Sequence, residues 1–166
     1  MPRLGDDYHF TIVEGTNDAD LEKGPGHYTN TALPGQVGNF AVAGHRVGKG
    51  EPFLNLDQLQ PGDAVVIETV TNWYVYTVLG DPTTGNLSTP GVEGVVGREI
   101  VKPTDVDVIQ PVPDHPGVNP TVALLTLTTC HPKFTATDRM IVHASLTRTV
   151  PRSGNQLPKE LHGGTL

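Results

Sequence analysis

One cysteine, Cys130, stands in a chain of 166 residues. A single thiol excludes an intrachain disulfide and leaves packing, an intermolecular bond, metal binding or nucleophilic chemistry. Positive charge is also scarce, with 11 Lys and Arg against 18 Asp and Glu and a net charge of −7. That is the wrong sign for binding nucleic acid through counterion release, and the basic residues are scattered rather than gathered into a stripe. Long hydrophobic runs are missing: residues 64–67 and 122–127 fall far short of a bilayer span, and the N-terminus shows no signal-peptide pattern. Repeats, low-complexity tracts and interior linkers are absent too. What is left is a single soluble domain, of a size that buries roughly two-thirds of its unfolded surface.

Turn formers are abundant. The 19 Gly and 15 Pro, together with many Val and Thr, favour short strands joined by turns over long helices. Tyr8 to Glu14 reads as an early strand, followed by a short helix through Asp20, Leu21 and Glu22, capped by Asn17 or Asp18 and ended by Gly24-Pro25-Gly26. Asn39 to Ala43 reads as a strand closed by Gly44-His45-Arg46. Phe53, Leu54, Leu56 and Leu59 predict a short helix from Pro52 to Gln60. Ala64 to Thr71 and Trp73 to Leu79 give the strongest hairpin signal, with Tyr74, Tyr76 and Val78 on one face. Arg98 to Val101 and Val106 to Ile109 read as further strand pieces, and the prolines between Gln110 and Pro120 make that stretch a semi-rigid surface loop. Thr121 to Cys130 is apolar on both faces, as a central strand is. After a loop, Arg139 to Leu146 reads as the last strand, leaving a domain over 1–150 and a loosely held tail over 151–166. The fold class is all-β, a barrel or sandwich with short accessory helices.

Cys130 ends the apolar run at a sheet rim, where a rigid scaffold presents a side chain; a small buried hydrophobe is the competing reading. A thiol nucleophile needs a proton-handling partner and an oxyanion donor. Among seven histidines, His45 stands out because it terminates a strand in a tight corner. His131 neighbours the thiol but points to the opposite face of an extended chain. His27 and His115 lie among turn residues, His143 inside a strand, and His9 and His162 near the termini. Arg139 opens the strand after the Cys130 strand, so antiparallel pairing would bring it back beside the thiol with a permanent charge. For His45 and Arg139 a solvated strand end is the alternative. Dispersed His and one Cys give no close ligand pairs for zinc, and Asp105 and Asp107 fall in no calcium motif. No metal or cofactor is expected.

Ala43-Gly44-His45-Arg46, Leu127-Thr128-Thr129-Cys130 and Arg139-Met140-Ile141-Val142 resemble, in order and spacing, the His, Cys and Arg motifs of sortases. Leu21 to Tyr28, Pro34 to Phe40 and Cys130 to Phe134 are most similar to class E sortases of high-GC Gram-positive bacteria (Actinobacteria), with class D as near neighbour. The resemblance implies an eight-stranded sortase-type β-barrel, tethered outside the cell membrane. It implies a cysteine transpeptidase that cleaves a C-terminal LAxTG or LPxTG-like sorting signal between Thr and Gly. The Thr carbonyl then passes through a thioester to an amine of the cell-wall precursor or to a pilin lysine. Cys130 is then the nucleophile, His45 the general acid and base, and Arg139 the oxyanion stabiliser. Such sortases carry an N-terminal anchor, whereas this chain opens part-way through what reads as the first strand, so an engineered soluble fragment is expected. The loop before the Cys strand is the expected signal reader, making Val112 and Val118, with Leu33, Thr129, Tyr74 and Tyr76, candidate groove residues. A pilus polymerase, a thiol peptidase on the same barrel, or a non-enzymatic β-module with an incidental Cys are the alternatives.

Overall fold

The computed structural model describes residues 1–153 and 157–161. Among these residues eight strands form one curled sheet. They are β1 (Val13–Glu14), β2 (Gly26–His27), β3 (Gly38–Ala43), β4 (Ala64–Glu68), β5 (Asn72–Val78), β6 (Arg98–Val101), β7 (Ala123–His131) and β8 (Asp138–Pro151). Their order is β1-β2-β3-β7-β8-β5-β4, with β6 on β8 beside β5. β8 is long because it serves three partners: residues 138–145 pair with β7, residues 139–142 with β6 and residues 144–151 with β5. The only α-helix among the described residues is α1 (Asp18–Leu21), where the Asn17 side chain accepts from the Asp20 N–H as an N-cap.

Alternation along the strands divides the sheet into an inner and an outer face. Phe40 and Val42 of β3, Leu125 and Leu127 of β7, Met140, Val142 and Ala144 of β8, and Tyr76 and Val78 of β5 meet inside the curl as the main core. A smaller cluster of Leu79, Val95, Val112 and Leu124 lies on the outer face, under the segments between β5 and β7.

Three elements differ from the expectations. In 52–60 only Leu56–Gln58 is helical, and as a 3-10 turn. After Pro52, the buried side chains are Phe53, Leu56 and Leu59, spaced by three, which is the 3-10 period rather than the α period. Val106 to Ile109 holds a 3-10 turn at Asp107–Ile109 in place of a strand, with the Asp107 N–H donating to the Asp105 carboxylate at 3.1 Å. That local hydrogen bond competes with any ladder. In Tyr8 to Glu14 only the last two residues pair, parallel to β2. Tyr8 is held instead by its own side chain, which donates to the Pro52 carbonyl and meets Phe10 edge-on at 5.2 Å. A cavity of about 720 Å³ opens beside this segment, with Phe10 and Leu33 among its lining residues.

β8 runs five residues past the expected Leu146, to Pro151. Beyond it, Arg152 donates to the Thr69 carbonyl and Glu160 pairs with Arg148. The rest of the expected tail, 154–156 and 162–166 with His162, lies outside the described residues.

Candidate active site

β7 and β8 set Cys130 directly opposite Arg139. Cross-strand partners share a face, with Cβ atoms about 5 Å apart. Along β7 that face carries Leu124, Thr126, Thr128 and Cys130; along β8 it carries Arg139, Ile141, His143 and Ser145. It is the outer face, since the intervening residues fill the main core.

β3 runs parallel to β7, pairing Ala43 with Thr128. The ladder continues as the Gly44 N–H donates to the Thr128 carbonyl at 3.0 Å and the Thr129 hydroxyl donates to the Gly44 carbonyl at 2.7 Å. Two residues beyond the Ala43–Thr128 pair, His45 stands level with Cys130, and alternation puts position 45 on the outer face. Glycine is required at 44, because a Cβ there would meet the Phe53 ring at 2.6 Å.

Arg46, 4% exposed, clamps this corner. Its guanidinium contacts the Asp57 carboxylate at 3.1 Å and donates to His131 Nδ1 at 2.9 Å and the Cys130 carbonyl at 3.5 Å. Arg139 donates through Nη1 to the Ala136 and Asp138 carbonyls of its own loop, at 3.2 and 3.0 Å. Lys102 reaches the Asp138 carboxylate at 2.5 Å and holds that carboxyl below its usual range. The neighbouring acid is thereby drawn to a lysine. Cys130, His45 and Arg139 are all half-buried, at the limit between core and solvent.

The groove candidates divide. Tyr76 is fully buried in the main core, its hydroxyl accepting from the Gly35 N–H at 2.8 Å, and Tyr74 packs against the same core. Both belong to the inner face, opposite the thiol. Thr129 is buried with its hydroxyl committed to Gly44, and Val112 is fully buried in the outer cluster, so neither has surface to offer a peptide. Leu33 and Val118 are exposed. Leu33, though, borders the cavity beside residues 8–14, whose lining includes neither Cys130, His45 nor Arg139.

Sequence reasoning did not single out Tyr28, whose hydroxyl lies 3.0 Å from Thr128 Oγ1, one step below Cys130 on the outer face. Only the β2–β3 pairing delivers it there. No local pattern announces a contact across 100 residues.

A curled all-β sheet that sets a thiol and a guanidinium opposite each other across two strands, with an imidazole level with both, has the architecture of a sortase-type β-barrel. The chain belongs to the sortase family: the Sortase domain model matches residues 1–147. Curated relatives include sortases SrtE1 and SrtE2 of Streptomyces coelicolor, 35% identical over 92% of the chain and 34% over 90%. The chain spans 40% and 56% of their lengths. Among solved structures, the SrtF sortase of Corynebacterium diphtheriae matches at 45% identity and a TM-score of 0.87, covering 98% of this chain and 89% of that one. Sortase E of Streptomyces avermitilis matches at 41% and 0.76, covering 96% and 91%. Sortase E1 of S. coelicolor, at 33% and 0.73 over 92% and 88%, was solved with a tripeptide in its active site. The class E resemblance and the all-β sortase fold read from the sequence agree with these matches.

Proposed function

We propose that this chain is the catalytic domain of a cell-surface transpeptidase. The Cys130 thiolate attacks the Thr carbonyl of a C-terminal LAxTG or LPxTG-like sorting signal, and Arg139 donates to the oxyanion of the tetrahedral intermediate. The Thr–Gly bond breaks as His45 protonates the departing glycine amine, leaving a Cys130 thioester. An amine of a lipid II-type cell-wall precursor or a pilin lysine then attacks the thioester. His45 takes its proton and the thiolate is regenerated, so one peptide bond replaces another. The full-length protein is placed at the outer face of the membrane by this reading; no helix among the described residues is long and apolar enough to cross one.

The cross-strand pairing of Cys130 with Arg139 carries the proposal. It gives the arginine a reason to stand at the start of β8 that a solvated strand end would not need. Tyr28, whose hydroxyl lies against Thr128 below the thiol, and the exposed Val118 of the 110–120 loop are the proposed peptide contacts.

Incubation of the chain with an LAxTG peptide and an oligoglycine or diaminopimelate-type amine, read by mass spectrometry, tests it. A ligated Thr–amine product is expected, with Cys130→Ala folding normally and giving none. Free acid alone would establish a peptidase instead. Ligation that survives Cys130→Ala would remove the thiol from the mechanism.

A further inference from the structure

We propose that Arg46 is a positioning residue for the transfer reaction: buried under the sheet rim, it ties the strand end that carries Cys130 to the corner that carries His45. This role rests on the reading of Cys130 and His45 given above.

Where β3 ends, β7 loses that neighbour just as it reaches the thiol. The bonds of a parallel ladder recur at every second residue of a strand. The step after the Gly44 N–H to Thr128 carbonyl bond would therefore run from the Arg46 N–H to the Cys130 carbonyl. Among the described residues that backbone bond is not made, because the chain bends away at 46–48. The side chain of the same residue takes its place. Arg46 Nη1 reaches the Cys130 carbonyl at 3.5 Å and donates to His131 Nδ1 at 2.9 Å.

His131 follows the thiol and, by alternation, shares the inner face with Leu125 and Leu127. Its orientation away from the thiol is what lets it take this bond. A guanidinium only donates, so Nδ1 accepts and the neutral ring carries its proton on Nε2. Arg46 is 4% exposed and has no surface to offer a peptide lying over the outer face. It acts on Cys130 through the backbone carbonyl and through the next side chain.

Arg46 is itself held by the 52–60 segment. Its Nη2 contacts the Asp57 carboxylate at 3.1 Å, and the Asp57 carbonyl accepts from Arg98 Nη1 at 2.7 Å. In the same segment the Phe53 N–H donates to the His45 carbonyl at 3.0 Å. One segment thus fixes both the guanidinium and the backbone of the proposed acid and base.

Two features separate Arg46 from a side chain that only fills the corner. Its Nε–H is buried without a hydrogen-bond partner, and the desolvation of a buried ion pair can exceed its Coulombic gain. An apolar side chain would fill the space without that cost. What the planar fork adds is direction, since it holds three acceptors at fixed angles. Those acceptors also lie on two segments, the Cys130 strand end and the 52–60 segment, so the fork sets the distance between them.

Transfer of an LAxTG peptide to an oligoglycine amine tests the role, with rates normalised to the folded fraction from circular dichroism. Arg46→Lys keeps the charge but cannot span three acceptors. Its kcat should fall about 10–100-fold with KM nearly unchanged, since the reacting groups are misplaced while the outer face is untouched. Asp57→Asn, at an exposed partner, should lower kcat in the same direction, and it remains informative where substitution of the buried Arg46 disrupts folding. His131→Leu removes the acceptor; His131→Asn, which offers an Oδ1 in place of Nδ1, should recover most of that loss. Wild-type kcat in both Arg46→Lys and Asp57→Asn, a loss confined to KM, or equal losses in the two His131 variants would overturn the role and leave the transpeptidase reading standing. A wild-type chain that forms no thioester and no ligated product would overturn that reading, and this role with it.

Discussion

Arg139 has two demands on it. Opposite Cys130 it can serve the oxyanion, yet in the structure its Nη1 is held by the Ala136 and Asp138 carbonyls. The two are compatible because a guanidinium has five donors in a fixed fork and the loop contacts use only one nitrogen. Among the described residues the fork is anchored at one prong and free at the others. Arg139→Ala should lower kcat by about 100–1000-fold with little change in KM, since the lost contact forms only in the transition state. Arg139→Lys keeps the charge but loses the fork, and steady-state transpeptidation should place it between the two. A lysine variant with full kcat would mean that charge alone suffices. Asp114 gives a prediction of a different kind. Burial, and secondarily its hydrogen bond to Glu99, push its carboxyl up to about 7. A raised folded value means stability that is whole below the ordinary value near 4 and is lost as pH rises toward 7. Glu99 is lowered, chiefly by His143, and costs stability only on the acid side of its own ordinary value. Asp114→Asn should therefore match wild type at pH near 4 and exceed it in melting temperature above about 7. A constant difference across that window would contradict the shift.

At the scale of elements, the Gly44 corner is where packing fixes the proposed chemistry. Gly44 lies between the ladder to Thr128 and the face of Phe53, which is 2% exposed, and the Phe53 N–H donates to the His45 carbonyl at 3.0 Å. Gly44→Ala must move a core ring or part β3 from β7, costing about 1–3 kcal/mol. Transfer activity should fall with it, because the same shift moves His45 relative to Cys130; a loss of stability with wild-type kcat would uncouple the two. This corner also shows what the sequence could and could not give. Strand periodicity located β3, β6 and the hairpin of β4 and β5, because a period of two is written in successive residues. It also brought Arg139 back to Cys130, since one short loop joins their strands. The parallel β3–β7 pairing that levels His45 with the thiol joins segments some 80 residues apart, and here the motif resemblance supplied what periodicity could not. Tyr76 fell on the wrong face for the same reason. Alternation says that Tyr74, Tyr76 and Val78 share a side, but only the closed curl says that this side is the inside. Phe53, Leu54, Leu56 and Leu59 point to a helix over 52–60, yet the structure has only a 3-10 turn there and buries Phe53, Leu56 and Leu59, since a spacing of three fits both a loose α pattern and a 3-10 turn.

In the molecule as a whole, stability is distributed unevenly by the strand order. β7 and β8 lie mid-sheet, and β8 bonds to β7, β5 and β6 together. β1 and β2 are two residues each, at one end of the sheet. Two-residue ladders break few hydrogen bonds on opening, whereas parting β7 from β8 dismantles the main core. Local opening free energies should follow this order, from small values at the β1–β2 end to the global value, about 5–15 kcal/mol for a domain of this kind, at β7 and β8. The thiol and the arginine thus sit on the part that opens last, while Tyr28, directly after β2, sits on the part that opens first. Native-state hydrogen exchange with increasing denaturant reads this directly. Amides of 124–128 and 140–144 should exchange only by global unfolding, and those of 13–28 through openings several kcal/mol cheaper. Equal protection of the two regions would mean that contacts beyond the ladder hold the β1–β2 end. Tyr28 would then be as fixed as the residues it faces, and a peptide entering over Thr128 would meet a preformed wall.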